Sequence, residues 1–360
     1  MFYRQMIRQY STYRKVSNLI KGALQEVQFV RIHGPTADEV MGDADLSDKT
    51  CLITGANSGI GLEVTRCLNK RDCRVLMACR NPYEARIVAK NVCEKPNNLK
   101  MYEINLASLA SVEKCSENII KQEKNIDILI LNAATFGLPW SLTEDGLETT
   151  FQVNFLSQYF LLLRLEELLS PNARVIFTSS ESHRNINWPI EKRLSPTIED
   201  LSLPQKEYTT IKSYNISKLC GLLAMHYLGY RWLYTGRSVF CAHPGSFIKT
   251  RLPRNWWVYE ALYTSMLPFS KTVPQAASAV TYCATSPDLK DVTTFYIKNC
   301  TRCEESELAR DTHLSFKVQD LVRDVLRDRI PNYDYSIVRP DADHVAEPSI
   351  EATLMSNYSG

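Results

Sequence analysis

The sequence predicts an α/β chain folded as a single domain around a doubly wound parallel sheet of about seven strands. Two observations carry that prediction. From residue 49 onward, short apolar runs alternate with longer stretches whose apolar residues recur at helical spacing. The first run, 49–54, empties into the glycines Gly55, Gly59 and Gly61, and a helical pattern leaves from Leu62. Strands this short and this continuously apolar are buried on both faces, as in a parallel sheet covered by helices on either side.

Taken from the N-terminus, residues 1 to about 26 are unlike the rest. Arg4, Arg8, Arg14, Lys15 and Lys21 stand there with no acid before Glu26, and Phe2, Tyr3, Met6, Ile7 and Tyr10 share one helical face. A basic, acid-poor, amphipathic leader has the composition of a mitochondrial presequence, and Arg8-Gln9-Tyr10-Ser11 resembles a matrix-protease cleavage site. A basic N-terminal helix that stays in place is the other reading, so the expected location is mitochondrial or cytoplasmic. Thr36-Ala37-Asp38-Glu39 fits a capping box and predicts a short helix leading into the domain. Strands are expected at 49–54, 74–78, 101–104, 126–131, 174–178, 239–242 and 294–297, with helices near 62–70, 83–94, 109–123, 147–169, 213–233 and 274–285. Leu314, Val318, Leu321, Val322, Val325 and Leu326 predict a last helix within 306–330. The domain is read as 27–330, and the aperiodic stretch 331–360 as a disordered tail.

Composition narrows the partners. The chain has 360 residues, 44% apolar and 23% charged, with a formal net charge of +2. That balance implies no bulk attraction to nucleic acid or to an anionic membrane. No apolar run reaches the length of a transmembrane span; the best, 159–163, stops at Arg164. The 11 cysteines have an odd count and no framework spacing, which argues for a reducing compartment. Cys300-x2-Cys303 has no second pair and no nearby His, so no metal site is expected. No tryptophan precedes Trp140, so binding of proline motifs by WW modules is not expected.

The stretch Thr54-Gly55-Ala56-Asn57-Ser58-Gly59-Ile60-Gly61 joins a strand to a helix start. Glycines there let the backbone turn sharply and approach a ligand, and the bare N–H groups of a helix N-terminus favour an anion such as a dinucleotide pyrophosphate. The second strand ends Ala78-Cys79-Arg80-Asn81. A carboxylate at that strand end would accept from an adenosine ribose and repel a 2′-phosphate. Cys79 stands there instead, and Arg80 follows with a planar fork of donors suited to a phosphate, so NADP(H) is expected rather than NAD(H). The fourth strand ends Leu131-Asn132-Ala133-Ala134, where small residues suit close approach of a ribose and Asn132 could tie the strand to its neighbours.

The fifth strand ends Thr178-Ser179-Ser180, and Tyr214-Asn215-Ile216-Ser217-Lys218 follows on a predicted helix. Tyr214 and Lys218, four apart, share a helix face. An ammonium near a phenol stabilises the phenolate, bringing a tyrosine from about 10 toward the range of a general acid–base. Ser180 would hydrogen-bond a substrate oxygen, Tyr214 would give or take the hydroxyl proton, and Lys218 would support Tyr214 and hold the nicotinamide ribose.

These segments together resemble the classical short-chain dehydrogenase/reductase family, whose fold is Rossmann-like. The resemblance implies a proton-relay role for Asn154 in Phe151-Gln152-Val153-Asn154 and a nicotinamide contact at His243-Pro244-Gly245. It matches Asn132-Ala133 to the family's Asn-Ala-Gly, with Ala134 in place of the glycine, and Asn105-Leu106 to its Asp-Leu near the adenine. The implied cofactor-binding set is Gly55, Asn57, Ser58, Gly59, Ile60, Gly61, Arg80, Asn105, Leu106, Asn132, Ala133, Tyr214, Lys218, Pro244 and Gly245; the catalytic set is Ser180, Tyr214, Lys218 and Asn154. Pairing of two copies through the helices 109–123 and 147–169 is a further implication. The expected activity is NADP(H)-dependent interconversion of a carbonyl and an alcohol. Trp256, Trp257, Tyr259, Leu262, Tyr263 and Phe269 make 247–269 an apolar aromatic segment. With the loop 188–212, it suggests a lipophilic, steroid- or retinoid-like substrate, or else serves packing or a dimer contact. An interaction protein that binds cofactor with little turnover is the rival reading. A nucleotide-sugar epimerase or dehydratase would carry Gly-x2-Gly-x2-Gly, which this chain lacks.

Overall fold

A computed structural model describes residues 34–245, 271–331 and 333. The basic leader, the aromatic segment 247–269 and nearly all of the expected tail lie outside the described residues. Eight strands form one sheet: β1 Thr50–Thr54, β2 Arg74–Cys79, β3 Leu99–Glu103, β4 Ile126–Leu131, β5 Leu169–Thr178, β6 Ser238–His243, β7 Phe295–Lys298 and β8 Thr301–Cys303. Their order is β3-β2-β1-β4-β5-β6-β7-β8. The chain winds outward from β1 in one direction and then from β4 in the other. The switch point therefore lies between β1 and β4, where open α/β sheets bind ligands beyond the strand C-termini.

Alternation along each strand splits the core into two layers. Leu52, Leu76, Leu129, Val175, Phe177, Val239 and Tyr296 face one cluster; Cys51, Ile53, Val75, Met77, Ile130, Ile176, Phe240 and Ile297 face the other. The helices are α1 Ala37–Met41, α2 Gly59–Lys70, α3 Pro82–Val92, α4 Leu109–Gln122, α5 Thr149–Phe151 continued by Ser157–Leu165, α6 Thr210–Arg231, α7 Val273–Thr285 and α8 Thr312–Arg329. The two parts of α5 are joined by a π-helical turn, Gln152–Leu156. The predicted capping box opens α1: Glu39 N donates to Thr36 Oγ1 at 3.3 Å and Thr36 N to Glu39 Oε2 at 2.7 Å.

The structure departs from expectation in two places. β8 was not anticipated; it is a short antiparallel return against β7, with Lys298 opposite Thr301, and its three residues carry no apolar alternation. The helix expected to run to 169 is α-helical to Leu165, tightens into a 3-10 turn over Glu166–Leu168, and gives way to β5 at Leu169. Glu166, buried at the junction, accepts from Trp232 Nε1 at 2.7 Å and pairs with Arg231 at 2.9 Å. Pro171, with no N–H, prevents any helical continuation.

α5 is nearly all core. From Ser157 to Leu165 every residue but Arg164 is buried, and Phe155 stacks on Tyr159 at 5.6 Å. Apolar side chains buried this way contribute about 2 kcal/mol each. Tyr333 closes the outer side: its ring meets Phe160 edge-on at 5.8 Å, its hydroxyl donates to Leu163 O at 3.0 Å, and the Arg164 guanidinium lies 5.1 Å above it.

Candidate active site

The glycine loop closes the C-terminal end of β1 against the end of β4. Gly55 turns with φ 65° and Gly59 with φ 54°, in the left-handed region. A Cβ on Gly61 would lie 2.4 Å from Gly55 O and 2.6 Å from Asn132 Nδ2; one on Gly55 would lie 3.0 Å from Ala133 Cα. Helix and loop meet here through bare backbone. Asn57, Ser58, Gly59 and Ile60 are half-buried at the start of α2. Every other helix labelled above has a side-chain cap, from Thr36, Asn81, Ser108, Glu148, Thr209, Thr272 or Asp311. Ser58, at the N-cap of α2, makes no such bond. The first N–H groups of α2 therefore keep their capacity for an external acceptor.

Thr54 and Gln158 hold this loop from beneath, and sequence reasoning passed over both. Thr54 Oγ1 accepts from Asn132 N at 2.9 Å and Ala133 N at 3.0 Å, and its own proton goes to Gln158 Oε1 at 2.6 Å. Gln158 Nε2 donates to Ala133 O at 2.8 Å and Asn154 O at 2.9 Å. Asn132 Nδ2 donates to Thr54 O at 3.1 Å, so Asn132 does tie β4 to β1. The only cue was a polar residue at the end of an apolar strand and another inside an apolar helix.

Arg80 and Asn105 stand at neighbouring strand ends, and the end of β2 adjoins the glycine turn, Gly55 N donating to Ala78 O at 2.9 Å. Arg80 is exposed and pairs with no described residue. Burial pushes the Cys79 thiol up to about 11 despite hydrogen bonds to the Ala56 and Asn57 backbone, so this position is uncharged. Asn105 is exposed with its Oδ1 accepting from Ala107 N at 3.1 Å, and Leu106 is buried behind it.

The predicted catalytic types converge across β5 and α6. Lys218 is buried, and its Nζ donates to Thr178 O at 2.7 Å. It also lies 5.4 Å from the Tyr214 ring centroid. Loss of solvation brings the Lys218 ammonium down to about 8, with nearby Cys241 acting in the opposite direction. Phe136 holds the Tyr214 ring edge-on at 5.1 Å. Asn154 sits in the π-helical turn. It accepts from Thr135 N at 2.7 Å and donates to Thr135 O at 3.0 Å and Ser217 Oγ at 3.2 Å. Ser217 in turn donates to Tyr214 O at 2.7 Å. Ser180 closes β5; its Oγ accepts from Ser182 N at 3.2 Å, which leaves its hydroxyl proton to donate. Pro244 and Gly245 follow β6, where Gly245 takes φ 106° and a Cβ would lie 2.7 Å from Lys271 Cδ.

The described residues contain one acidic and thiol cluster, Asp38, Glu63 and Cys67, with ligand atoms within 4.8 Å of one another. Arg66 already pairs there with Glu63 at 2.8 Å and with Asp38, so the cluster is an ion-pair site. No helix among the described residues is long and apolar enough to cross a membrane.

Comparison with known proteins agrees with this architecture. The family model for short chain dehydrogenases matches residues 49–188. The WW domain-containing oxidoreductase of Drosophila melanogaster is 39% identical over 299 residues, 82% of this chain and 72% of that protein. Retinol dehydrogenase 12 of Mus musculus is 33% identical over 275 residues, 75% of this chain and 83% of that protein. Among solved structures, a 3-ketoacyl-(acyl-carrier-protein) reductase from Brucella melitensis, complexed with NADH, superposes with a TM-score of 0.54 at 17% identity, covering 71% of this chain and 97% of that one. The strand order, the glycine turn at the switch point and the two curated relatives converge on one assignment: the chain belongs to the short-chain dehydrogenase/reductase family of oxidoreductases, which use a nicotinamide cofactor.

Proposed function

We propose that the chain is an NADP(H)-dependent oxidoreductase that interconverts a carbonyl and an alcohol on a lipophilic substrate. The observation that carries this reading is the buried Lys218, anchored to the end of β5 and facing the Tyr214 ring. A buried ammonium is costly and is retained where its charge has work to do.

The residues fit a dinucleotide. Gly55 and Gly61 let the turn pack backbone against backbone where a Cβ would clash, and the uncapped start of α2 suits a pyrophosphate. Gly55, Asn57, Ser58, Gly59, Ile60 and Gly61 would hold that part. Arg80, exposed beside an uncharged Cys79, would meet a 2′-phosphate, with Asn105 and Leu106 near the adenine. Asn132, Ala133, Lys218, Pro244 and Gly245 would line the nicotinamide end. When bound in its reduced form, the cofactor supplies a hydride to the carbonyl carbon. Tyr214 gives its phenolic proton to the carbonyl oxygen, so that C=O, hydride and proton together become CH–OH. Ser180 donates a hydrogen bond to that oxygen, and the Lys218 charge stabilises the phenolate left on Tyr214. Asn154 holds the 135 loop and Ser217 in register with Tyr214, and its place in the π-helical turn suits a relay for the returning proton.

The relatives named as retinol dehydrogenases support a lipophilic substrate. The basic leader supports a mitochondrial destination, with the cytoplasm as the alternative; sequencing the N-terminus of the mature protein would decide, and an intact Met1 would count against import. For the activity, turnover of NADPH with a panel of apolar ketones and aldehydes is the test, run beside Tyr214→Phe. The expected loss in the variant is about 10²–10⁴-fold in kcat. Equal rates in the two proteins would sink the mechanism. No turnover in either, with NADPH bound, would favour the cofactor-binding regulatory reading.

A further inference from the structure

The turn that carries Ser180 is held by a residue that the mechanism above does not use. His183 is fully buried. Its Nδ1 lies 2.7 Å from Ser180 O, and its Nε2 lies 3.2 Å from Ser306 N. A backbone N–H can only donate, so Nε2 is the unprotonated nitrogen. In the neutral ring the proton then sits on Nδ1 and is donated to the Ser180 carbonyl. Burial brings the imidazole down to about 4, which keeps it in this neutral form at working pH. The ring is further fixed edge-on to Tyr296 at 5.3 Å. Tyr296 stands on β7, and its hydroxyl donates to Glu181 Oε1, the residue next to Ser180. His183 therefore bonds from the turn after β5 to the loop that follows β8, far along the chain, and Ser180 lies at the end of that clamp.

We propose that His183 is a positioning residue: as the Nδ1–H tautomer it locks the Ser180 turn to the 304–309 loop and so fixes the direction of Ser180 Oγ. Ser180 Oγ is itself part of the turn, accepting from Ser182 N. A rotation of the turn would break that bond and swing the hydroxyl away from the reacting oxygen. Misplacing a group at a reacting centre by about 1 Å can cost about 10²-fold in rate. The catalytic part of this inference rests on the function proposed above, whereas the positioning part does not.

Two variants separate the contributions. His183→Phe keeps the ring and its volume and removes both hydrogen bonds. His183→Asn places an amide near the Nδ1 position and can restore the bond to Ser180 O alone. Amide hydrogen exchange at Ser182, read by NMR on folded protein well below its melting temperature, measures the turn without any substrate. The expected result is faster Ser182 exchange in His183→Phe, recovered in His183→Asn. In wild type, 15N shifts should report a protonated Nδ1 and a bare Nε2. In turnover, kcat should fall about 10–100-fold in His183→Phe, with cofactor affinity and KM within about twofold, and His183→Asn should regain most of it. Unchanged Ser182 exchange in His183→Phe, or an Nε2–H tautomer in wild type, would overturn the positioning role whatever the activity. A kcat that falls only as the folded fraction falls would reduce His183 to a packing residue. If wild type turns over none of the carbonyls while exchange responds as expected, the function proposed above fails and the clamp stands.

Discussion

At the β1 end of the switch point the protein presents backbone; at the β5 end it presents side chains. The glycine turn is shaped by the absence of Cβ atoms at Gly55 and Gly61 and leaves the first amides of α2 without a side-chain cap. The other end carries Lys218, Tyr214 and Asn154, held by β5 and by the loop after β4, and Ser180, held within its own turn. A backbone site tolerates no added atom but needs no special protonation state. A side-chain site tolerates some repacking but depends on one buried charge. The two ends should therefore break in different ways.

The largest effect is expected at Lys218. Lys218→Met keeps the stem and removes the charge, and kcat should fall about 10²–10⁴-fold. Stability should move the other way. Lys218 holds its proton to about 8 in the native protein against the usual 10.5. Below about 8 it is charged both folded and unfolded, and the full cost of burying that charge, on the order of 3 kcal/mol, is present. Between 8 and 10.5 the native state sheds the proton that the unfolded chain keeps, so stability rises with pH. Urea unfolding of cofactor-free protein should find Lys218→Met more stable than wild type at pH 7, with the gap closing by pH 10. A gap that widens with pH would mean that Lys218 stabilises the fold rather than burdening it.

At the backbone end the failure should be steric. Gly61→Ala drives a methyl against Gly55 O, which is backbone, and against Asn132 Nδ2, whose amide is held by its bond to Thr54 O. Overpacking of this kind costs about 1–3 kcal/mol, and the shift of α2 should also abolish the rise in melting temperature that NADPH gives wild type. A Gly61→Ala protein that melts and binds as wild type does would show that the turn has slack. Between the two ends lies Thr54. Thr54→Val preserves shape but strips the acceptor from Asn132 N and Ala133 N and the donor from Gln158 Oε1. Each buried polar group left unpaired costs about 1–3 kcal/mol, and three lose their partner here, so denaturant melts should show a loss of at least about 3 kcal/mol. No loss would mean that water replaces the hydroxyl.

The same contrast explains what could be read from sequence. A glycine turn is written in contiguous residues, because each glycine answers a local demand on φ or on space. Tyr214 and Lys218 are legible for a similar reason: four residues apart on a helix, they must share a face. What seats them is not local. Thr178 O and Phe136 reach Lys218 and Tyr214 through strand order and helix packing, as Gln158 reaches Thr54, and a polar residue in an apolar run does not announce its partner. The π-helical turn that places Asn154 left no mark either, since its side-chain pattern is that of an ordinary helix. The parallel strands were legible and their ends were not: β5 starts at Leu169, ahead of its predicted 174, and the short antiparallel β8, paired with β7, left no pattern of its own.

The smallest effect is expected at Arg80, and it sharpens the comparison because Arg80 belongs to neither kind of site. It is an exposed side chain at a backbone-built end, paired with no described residue. Nothing in the fold leans on it, so Arg80→Ala should change stability by no more than about 0.5 kcal/mol. Its effect should appear only in the difference between two ligands. A charge-assisted bond from a guanidinium to a phosphate contributes about 1.5–3 kcal/mol, weakened here by exposure to solvent. Arg80→Ala should therefore lower affinity for NADPH about tenfold and leave NADH nearly unchanged, as read by thermal shift with each cofactor side by side. The neutral Cys79 thiol beside it removes the repulsion that a carboxylate would exert on a 2′-phosphate, so Cys79→Asp should reverse the preference even with Arg80 in place. Stronger stabilisation of wild type by NADH than by NADPH would overturn both statements and leave the exposed arginine without a ligand.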